Sequence, residues 1–236
     1  MTWQRRNPSL YEKERAEIES HYPGLHFVDE GGIVFIRGSF PVMFEGQALD
    51  RYTIELQLVQ NHPAELPIVR ETGGRIPRHP DRHVNAETGI ACVLIPDERW
   101  RLWPIGEPLL TYFTGPLHSY FLAQTIVEEG EPWPFGQWEH GARGVFQFYR
   151  ELLNTSNLRV MMNYLVIVSK ESLKGHWPCP CENGRKLRDC HIEEVKHLRG
   201  NISRKDARTS LAMLKAAGPC AVEMTEAKPS AASIAV

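Results

Sequence analysis

Thr53-Ile54-Glu55-Leu56-Gln57-Leu58 is the stretch on which the fold turns. Polar and apolar residues alternate over all six positions, as in a strand with one face in a core and the other in water. Upstream lie two more short apolar runs, Ile33-Val34-Phe35-Ile36 and Pro41-Val42-Met43-Phe44, with Gly31-Gly32 and Gly46 as turn breaks. Before them, Ser9-Leu10-Tyr11-Glu12 has the Ser-x-x-Glu form of a capping box, and Pro23-Gly24 stops the helix it would start at about Tyr22. One helix followed by consecutive strands predicts an α+β fold on an antiparallel meander.

Downstream of Leu58 the pattern breaks. Pro63, Pro67, Pro77 and Pro80 interrupt residues 61–85, each removing a backbone donor, and predict a long irregular connection. It leads into Gly89-Ile90-Ala91-Cys92-Val93-Leu94. After Trp103-Pro104 helical spacing returns, in Leu109, Leu110, Phe113, Leu117, Tyr120 and Phe121, and again in Val145, Phe148, Tyr149, Leu152 and Leu153. Leu158 to Val168 is a third apolar segment of poor periodicity, read as helix over strand. Gly175-His176-Trp177-Pro178 marks a boundary. A last helix is predicted from Ser203 to Ala217, capped by Ser203 with Asp206 and stopped by Gly218-Pro219. The resulting plan is a domain over 1–155, a connecting helix over 156–176, a cysteine-rich element over 177–200, a helix over 201–218 and a disordered tail over 219–236 that contains Cys220.

Composition bounds the function. The chain has 236 residues, 42% of them hydrophobic and 24% charged, the profile of a globular protein with its own core. The 27 Lys and Arg nearly cancel the 29 Asp and Glu, so no global positive field draws in nucleic acid, and none is expected as a partner. No apolar run approaches the roughly 18 residues that span a bilayer. The first residues have no apolar core behind Arg5-Arg6, so no secretory signal is read, and a cytoplasmic protein is expected. Five cysteines, an odd number, argue against a disulfide framework.

Three of those cysteines crowd together as Cys179-Pro180-Cys181, eight residues, then Cys190-His191. Four soft or borderline ligands at this spacing fit a closed tetrahedral zinc site of Cys179, Cys181, Cys190 and His191, and a site with no open position is structural. Asn183-Gly184 supplies a turn between the pairs, and Arg185, Lys186 and Arg188 offset thiolate charge. The arrangement resembles the SEC-C zinc motif, Cys-x-Cys-x(8)-Cys-His, over Trp177 to His191, with Glu182-Asn183-Gly184 where the family often has Gly-Ser-Gly. In the SecA translocation motor, where the motif is best known, the element serves as a contact for a partner protein and lipid.

Cys92 stands alone among polar neighbours: His79, Asp81, His83 and Asn85 before it, Asp97 and Glu98 after. A helix, a four-strand meander, a proline-broken stretch, His79-Pro80, then Gly89-Ile90-Ala91-Cys92-Val93-Leu94 and Trp100 resemble a ubiquitin-conjugating-enzyme domain. The specific motifs span 79–104. The eukaryotic His-Pro-Asn tripeptide is missing, since Asp81 follows His79-Pro80, and His83-Val84-Asn85 lies nearer its place. The histidines, Gly89 and Trp138-Glu139-His140-Gly141 are more similar to the prokaryotic branch, found in antiphage operons of the CBASS type. The resemblance implies a ubiquitin-conjugating-like fold with a small zinc-bound element. It implies an acyltransferase with a thioester on Cys92, Asn85 or His83 as stabiliser and Asp97 as proton acceptor. It further implies that the acyl group is the C-terminus of a CBASS cyclic-oligonucleotide synthase. A non-catalytic binding module of the same fold is the alternative; a cysteine hydrolase using His79 or His83 has no supporting motif.

Overall fold

The computed structural model describes residues 1–134, 138–139 and 141–221, which divide into two compact units. One unit comprises Met1–Leu94 with Arg101–Phe135, the other Ile95–Trp100 with Gly136–Val236.

The first unit opens with a one-turn helix α1 (Trp3–Arg6) and helix α2 (Pro8–His21). The α2 cap is Asn7, whose side chain accepts from the Leu10 amide at 3.3 Å, with Pro8 at the first helical position. The cap therefore lies two residues earlier than the Ser9 capping box predicts, because proline is preorganised for that position and needs no amide partner there. Four strands follow: β1 (Leu25–Glu30), β2 (Ile33–Phe44), β3 (Gln47–Leu58) and β4 (Ile68–Glu71). They form one antiparallel sheet in the order β1-β2-β3-β4, the meander expected.

Sequence reading divided β2 into two runs and missed β1 and β4. Leu25-His26-Phe27 has only a brief alternation, and β4 lies inside the proline-broken stretch. Gly31-Gly32 and Glu45-Gly46 close the first two hairpins, and all four residues have positive φ, the geometry whose twist matches the flanking strands. Along β3, Tyr52, Ile54, Leu56 and Leu58 are buried. On the other face Glu55 meets Arg37 of β2 at 2.7 Å and Arg70 of β4 at 3.6 Å. Gly38 is obligatory: its φ is +136°, and a Cβ there would stand 2.0 Å from the Gly24 carbonyl oxygen.

Short helices α3 (Arg99–Leu102) and α4 (Leu109–Tyr112) precede α5 (His118–Glu128). Between α4 and α5 the chain kinks at Gly115-Pro116. Tyr52, Phe40, Phe113 and Phe121 stack into an aromatic core between sheet and helices.

The second unit contains α6 (Ala142–Leu152), α7 (Leu158–Val168), α8 (Ile192–Asn201) and α9 (Arg204–Ala217). Helix α6, placed in the 1–155 domain by sequence, instead packs Phe146, Phe148 and Tyr149 into this unit's core with Met161 and Leu165 of α7 and Leu214 of α9. The helical reading of 158–168 holds, capped by Asn157. Ser203 Oγ caps α9, accepting from the Asp206 amide at 3.0 Å and donating to the Asp206 carboxylate at 2.6 Å, and Gly218 with φ +56° ends the helix. The tail read as disordered falls almost wholly outside the described residues, as do His140 and the side chain of Cys220. No helix among the described residues is long and apolar enough to cross a membrane.

Candidate functional site

Two places concentrate chemistry, one in each unit. In the first, the segment carrying Cys92 is laid onto the sheet edge by the Ala91 amide, which donates to the Val69 carbonyl of β4 at 2.8 Å. Val84 and Ala91 form an antiparallel bridge, flanked by Asn85 N–H to Ile90 O at 2.9 Å and Cys92 N–H to His83 O at 2.7 Å. His83 is thus directly opposite Cys92. The residue Cys92 is exposed, yet burial of its thiol by its surroundings pushes the pKa above the ordinary cysteine value.

His83 adopts a left-handed backbone, φ 50° and ψ 41°, a region sparsely used by residues other than glycine. That turn aims its carbonyl at the Cys92 amide. Its ring is buried against Trp133, with centroids 4.3 Å apart, and is not a solvated loop histidine. Asn85 is exposed, and its side-chain oxygen accepts from Glu87 N–H (3.1 Å), Thr88 N–H (2.8 Å) and Thr88 Oγ1 (2.9 Å). It closes an Asx turn that shapes the approach to Gly89. His79 is exposed with Nδ1 3.5 Å from Asp81.

Helix α5 supplies what sequence reading missed. Gln124 Nε2 donates to the Arg82 carbonyl at 2.6 Å, and Arg82 Nε returns a bond to Gln124 Oε1 at 2.8 Å. One turn earlier, the Tyr120 hydroxyl reaches the Arg82 and His83 carbonyls at 3.3 and 3.4 Å. Tyr120 and Gln124 are buried polar groups four residues apart on one helix face. A fully buried Gln at an apolar position is the signal that would have found them.

Asp97 belongs to the second unit. It is 2% exposed, with one carboxylate oxygen accepting from the Tyr149 hydroxyl and the other from Ser210 Oγ at 2.7 Å. Burial pushes its pKa up, against the pull of those two donors. It acts as a knot between α6, α9 and the turn at Pro96–Glu98. Trp103 is buried in the first unit with Nε1 on the Pro108 carbonyl, and Trp100 lies in the second unit against His197.

The metal-ligand candidates converge as the spacing predicts. The sulfurs of Cys179 and Cys181 are 3.4 Å apart and those of Cys181 and Cys190 3.7 Å. His191 Nδ1 is 3.2 Å from Cys179 Sγ and 3.1 Å from Cys190 Sγ. A tetrahedral ion with metal–sulfur bonds of about 2.3 Å and a metal–nitrogen bond of about 2.0 Å requires ligand separations of roughly 3.5–3.8 Å. The four atoms lie within 4.8 Å of one another, and the separations above are at most a few tenths of an ångström shorter than such an ion requires, so the donor set fits a metal ion with a small expansion. Leu187, fully buried, anchors the loop, and Glu182 and Gly184 take positive φ to turn the chain between the pairs.

A surrounding shell is built as well. Asn183 Nδ2 and Arg185 Nη2 point at Cys190 Sγ from 3.0 and 3.2 Å. Although desolvation raises the Cys190 pKa, hydrogen bonds from Asn183 and the neighbouring cysteines and the Arg185 charge bring it below the usual value. Burial pushes Cys179 up to about 11. The far nitrogen of His191, Nε2, lies 3.9 Å from Glu194, which is itself fixed by the Tyr164 hydroxyl at 2.8 Å. That separation is longer than a hydrogen bond, so Glu194 stands near the imidazole without fixing its tautomer.

No family model, curated protein or solved structure matches the chain.

Proposed function

We propose that the first unit is a ubiquitin-conjugating-like domain that carries a protein C-terminus as a thioester on Cys92. The observation that supports it best is the setting of Cys92. It is an exposed thiol on a bridged segment at the edge of a four-strand meander, after α1 and α2 and before α4 and α5. In the charging step the Cys92 thiolate attacks an activated acyl carbon. The carbon–sulfur bond forms while the bond to the leaving group breaks, and the leaving group departs with its electron pair. An acceptor amine then attacks the thioester, a carbon–nitrogen bond forms, Cys92 departs as thiolate and the amine proton passes to a base.

The tetrahedral oxyanion of either step needs a donor. With the Asn85 oxygen occupied by its own turn, the Asn85 amide N–H groups are the proposed contact. His83 is the positioning residue, holding the Cys92 amide through its carbonyl. Asp97, whose two oxygens already accept from Tyr149 and Ser210, is not retained as proton acceptor. The proposed acyl donor, on the resemblance to the prokaryotic branch, is the C-terminus of a CBASS cyclic-oligonucleotide synthase. For the metal site we propose zinc, held by Cys179, Cys181, Cys190 and His191 as a structural cross-link.

Intact mass under non-reducing conditions, on protein co-expressed with its operon neighbours, tests the reading. A protein-sized adduct is expected that thiol reagent removes and Cys92→Ala abolishes, with Cys92→Ser holding a stable ester. One observation favours the binding-module alternative: the raised Cys92 pKa leaves the resting thiol less ionised than an ordinary cysteine. No adduct under any pairing, with Cys92→Ala fully functional in cells, would establish that alternative.

A further inference from the structure

Near-neutrality of the whole chain conceals a division of charge. Residues 1–94 carry 10 Lys and Arg against 13 Asp and Glu, whereas residues 156–217 carry 12 against 6. Half of that excess falls on residues 158–190, where Arg159, Lys170, Lys174, Arg185, Lys186 and Arg188 stand against Glu171, Glu182 and Asp189.

The backbone collects these cations. Residues 175–179 and 185–188 pair as a short ribbon: Arg188 N–H to Gly175 O (2.9 Å), Leu187 N–H to Trp177 O (2.7 Å), and Cys179 N–H to Arg185 O (2.9 Å). Pro178 and Lys186 bridge at its centre. Lys174, Arg185, Lys186 and Arg188 are all exposed on or beside it. Against this ribbon and α7 lies a cavity of about 460 Å³, lined by Trp177, Pro178, Val166 and Ile167, with Lys170 and Arg185 among its walls. That volume is within the range of roughly 300–1,000 Å³ typical of small-ligand sites. Its one acidic residue, Glu182, is already met by Arg159 at 2.8 Å and by the Asn163 amide at 3.0 Å. Lys170, Lys174 and Lys186 have no carboxylate partner among the described residues.

An indole beside prolines and aliphatic side chains, next to lysines that no carboxylate of the described residues neutralises and an arginine that carries further donors besides the one on Cys190 Sγ, matches the chemistry of a stacked base and its phosphates. We propose that this ribbon and cavity bind single-stranded nucleic acid. One base stacks on Trp177, and backbone phosphates contact Lys170, Arg185 and Lys186. Stacking of this kind accepts any base, so little sequence preference follows. The inference is independent of the role of Cys92.

Fluorescence anisotropy of the full, metal-loaded chain with labelled 12-nucleotide oligo(dT) and oligo(rU) tests it, the two probes separating DNA from RNA. Saturable binding is expected, with a log–log salt slope near −2 for three phosphate contacts, at about −0.7 per phosphate. Lys170→Glu with Lys186→Glu, both on exposed side chains, should weaken binding at least tenfold and flatten the slope by about 1.4. Trp177→Ala should cost roughly 5- to 150-fold while Trp177→Phe retains most affinity, given ~1–3 kcal/mol per stacked base. Metal content and circular dichroism confirm that each variant is folded. Three results would overturn the proposal: no saturable binding at 50 mM salt, a charge-reversed variant that binds like wild type, or poly-glutamate competing as well as unlabelled oligonucleotide. The last would identify an acidic polypeptide as the ligand.

Discussion

If the proposed metal site is loaded, stripping it should unfold the element around Cys179, Cys181, Cys190 and His191, and the structure sets the size of the effect. Residues 178–190 have little core of their own, with Leu187 as the fully buried apolar side chain. Ordering thirteen residues costs on the order of 13–26 kcal/mol at about 1–2 kcal/mol each. Seven local bonds oppose this, six between backbone groups, counting those to Gly175 and Trp177, and one from the Arg185 amide to Asn183 Oδ1. At roughly 0.5–1.5 kcal/mol apiece they contribute about 4–10 kcal/mol. Burial of Leu187 adds about 1.5–3 kcal/mol. The shortfall is on the order of 10 kcal/mol, comparable to the roughly 10–16 kcal/mol that zinc supplies to short Cys/His peptides. Hydrogen–deuterium exchange with and without a chelator measures this directly. The amides of Cys179, Leu187 and Cys190 should be protected in the metal-loaded chain and exchange at nearly unfolded rates once metal falls below about a tenth of an equivalent. The β2–β3 amides serve as an internal reference and should keep their protection. Unchanged protection at Cys179, Leu187 and Cys190 after verified metal loss would refute the reasoning, because the loop would then be holding itself.

Three other outcomes are expected. Gly38→Ala forces a Cβ to within 2.0 Å of the Gly24 carbonyl at a positive φ; urea unfolding should show a loss on the order of 3 kcal/mol or more. Burial raises the Asp97 pKa in the folded state, so the fold binds that proton more tightly than the unfolded chain does. Stability from this group is fully present below the unfolded pKa and declines as pH rises through the folded value; in melting curves taken across that range Asp97→Asn should lose the decline. The Cys92 thiol should react with iodoacetamide along a pH profile whose midpoint lies above that of a free cysteine, about 8.5, read by mass spectrometry of the Cys92 peptide; a midpoint at or below 8.5 would count against its partial burial.

The residue pattern alone determined the elements whose signals are local. The alternation of Thr53–Leu58 announced β3 because a half-buried strand must alternate. Paired positive-φ residues at Gly31-Gly32 and Glu45-Gly46 made the hairpin connections, although the glutamate of the second pair was not read. Ser203, Asp206 and Gly218 bounded α9 because capping is settled within a few residues. The four metal ligands were legible for the same reason: a tetrahedral site on thirteen residues leaves few arrangements.

Tertiary structure decided the rest. β4 has no local signal and exists because β3 offers it an edge to pair with. Helix α6 carries an apolar face that could join either core, and only packing assigns it to α7 and α9. Asp97 reads in sequence as a loop acid near a cysteine, but two donors from distant helices, Tyr149 and Ser210, turn it into a buried structural group. Charge behaved the same way. Summed over the chain it is close to zero, and only the folding of 175–188 into a ribbon beside α7 shows which positive groups stand together, because electrostatic attraction depends on distance in space and not along the chain.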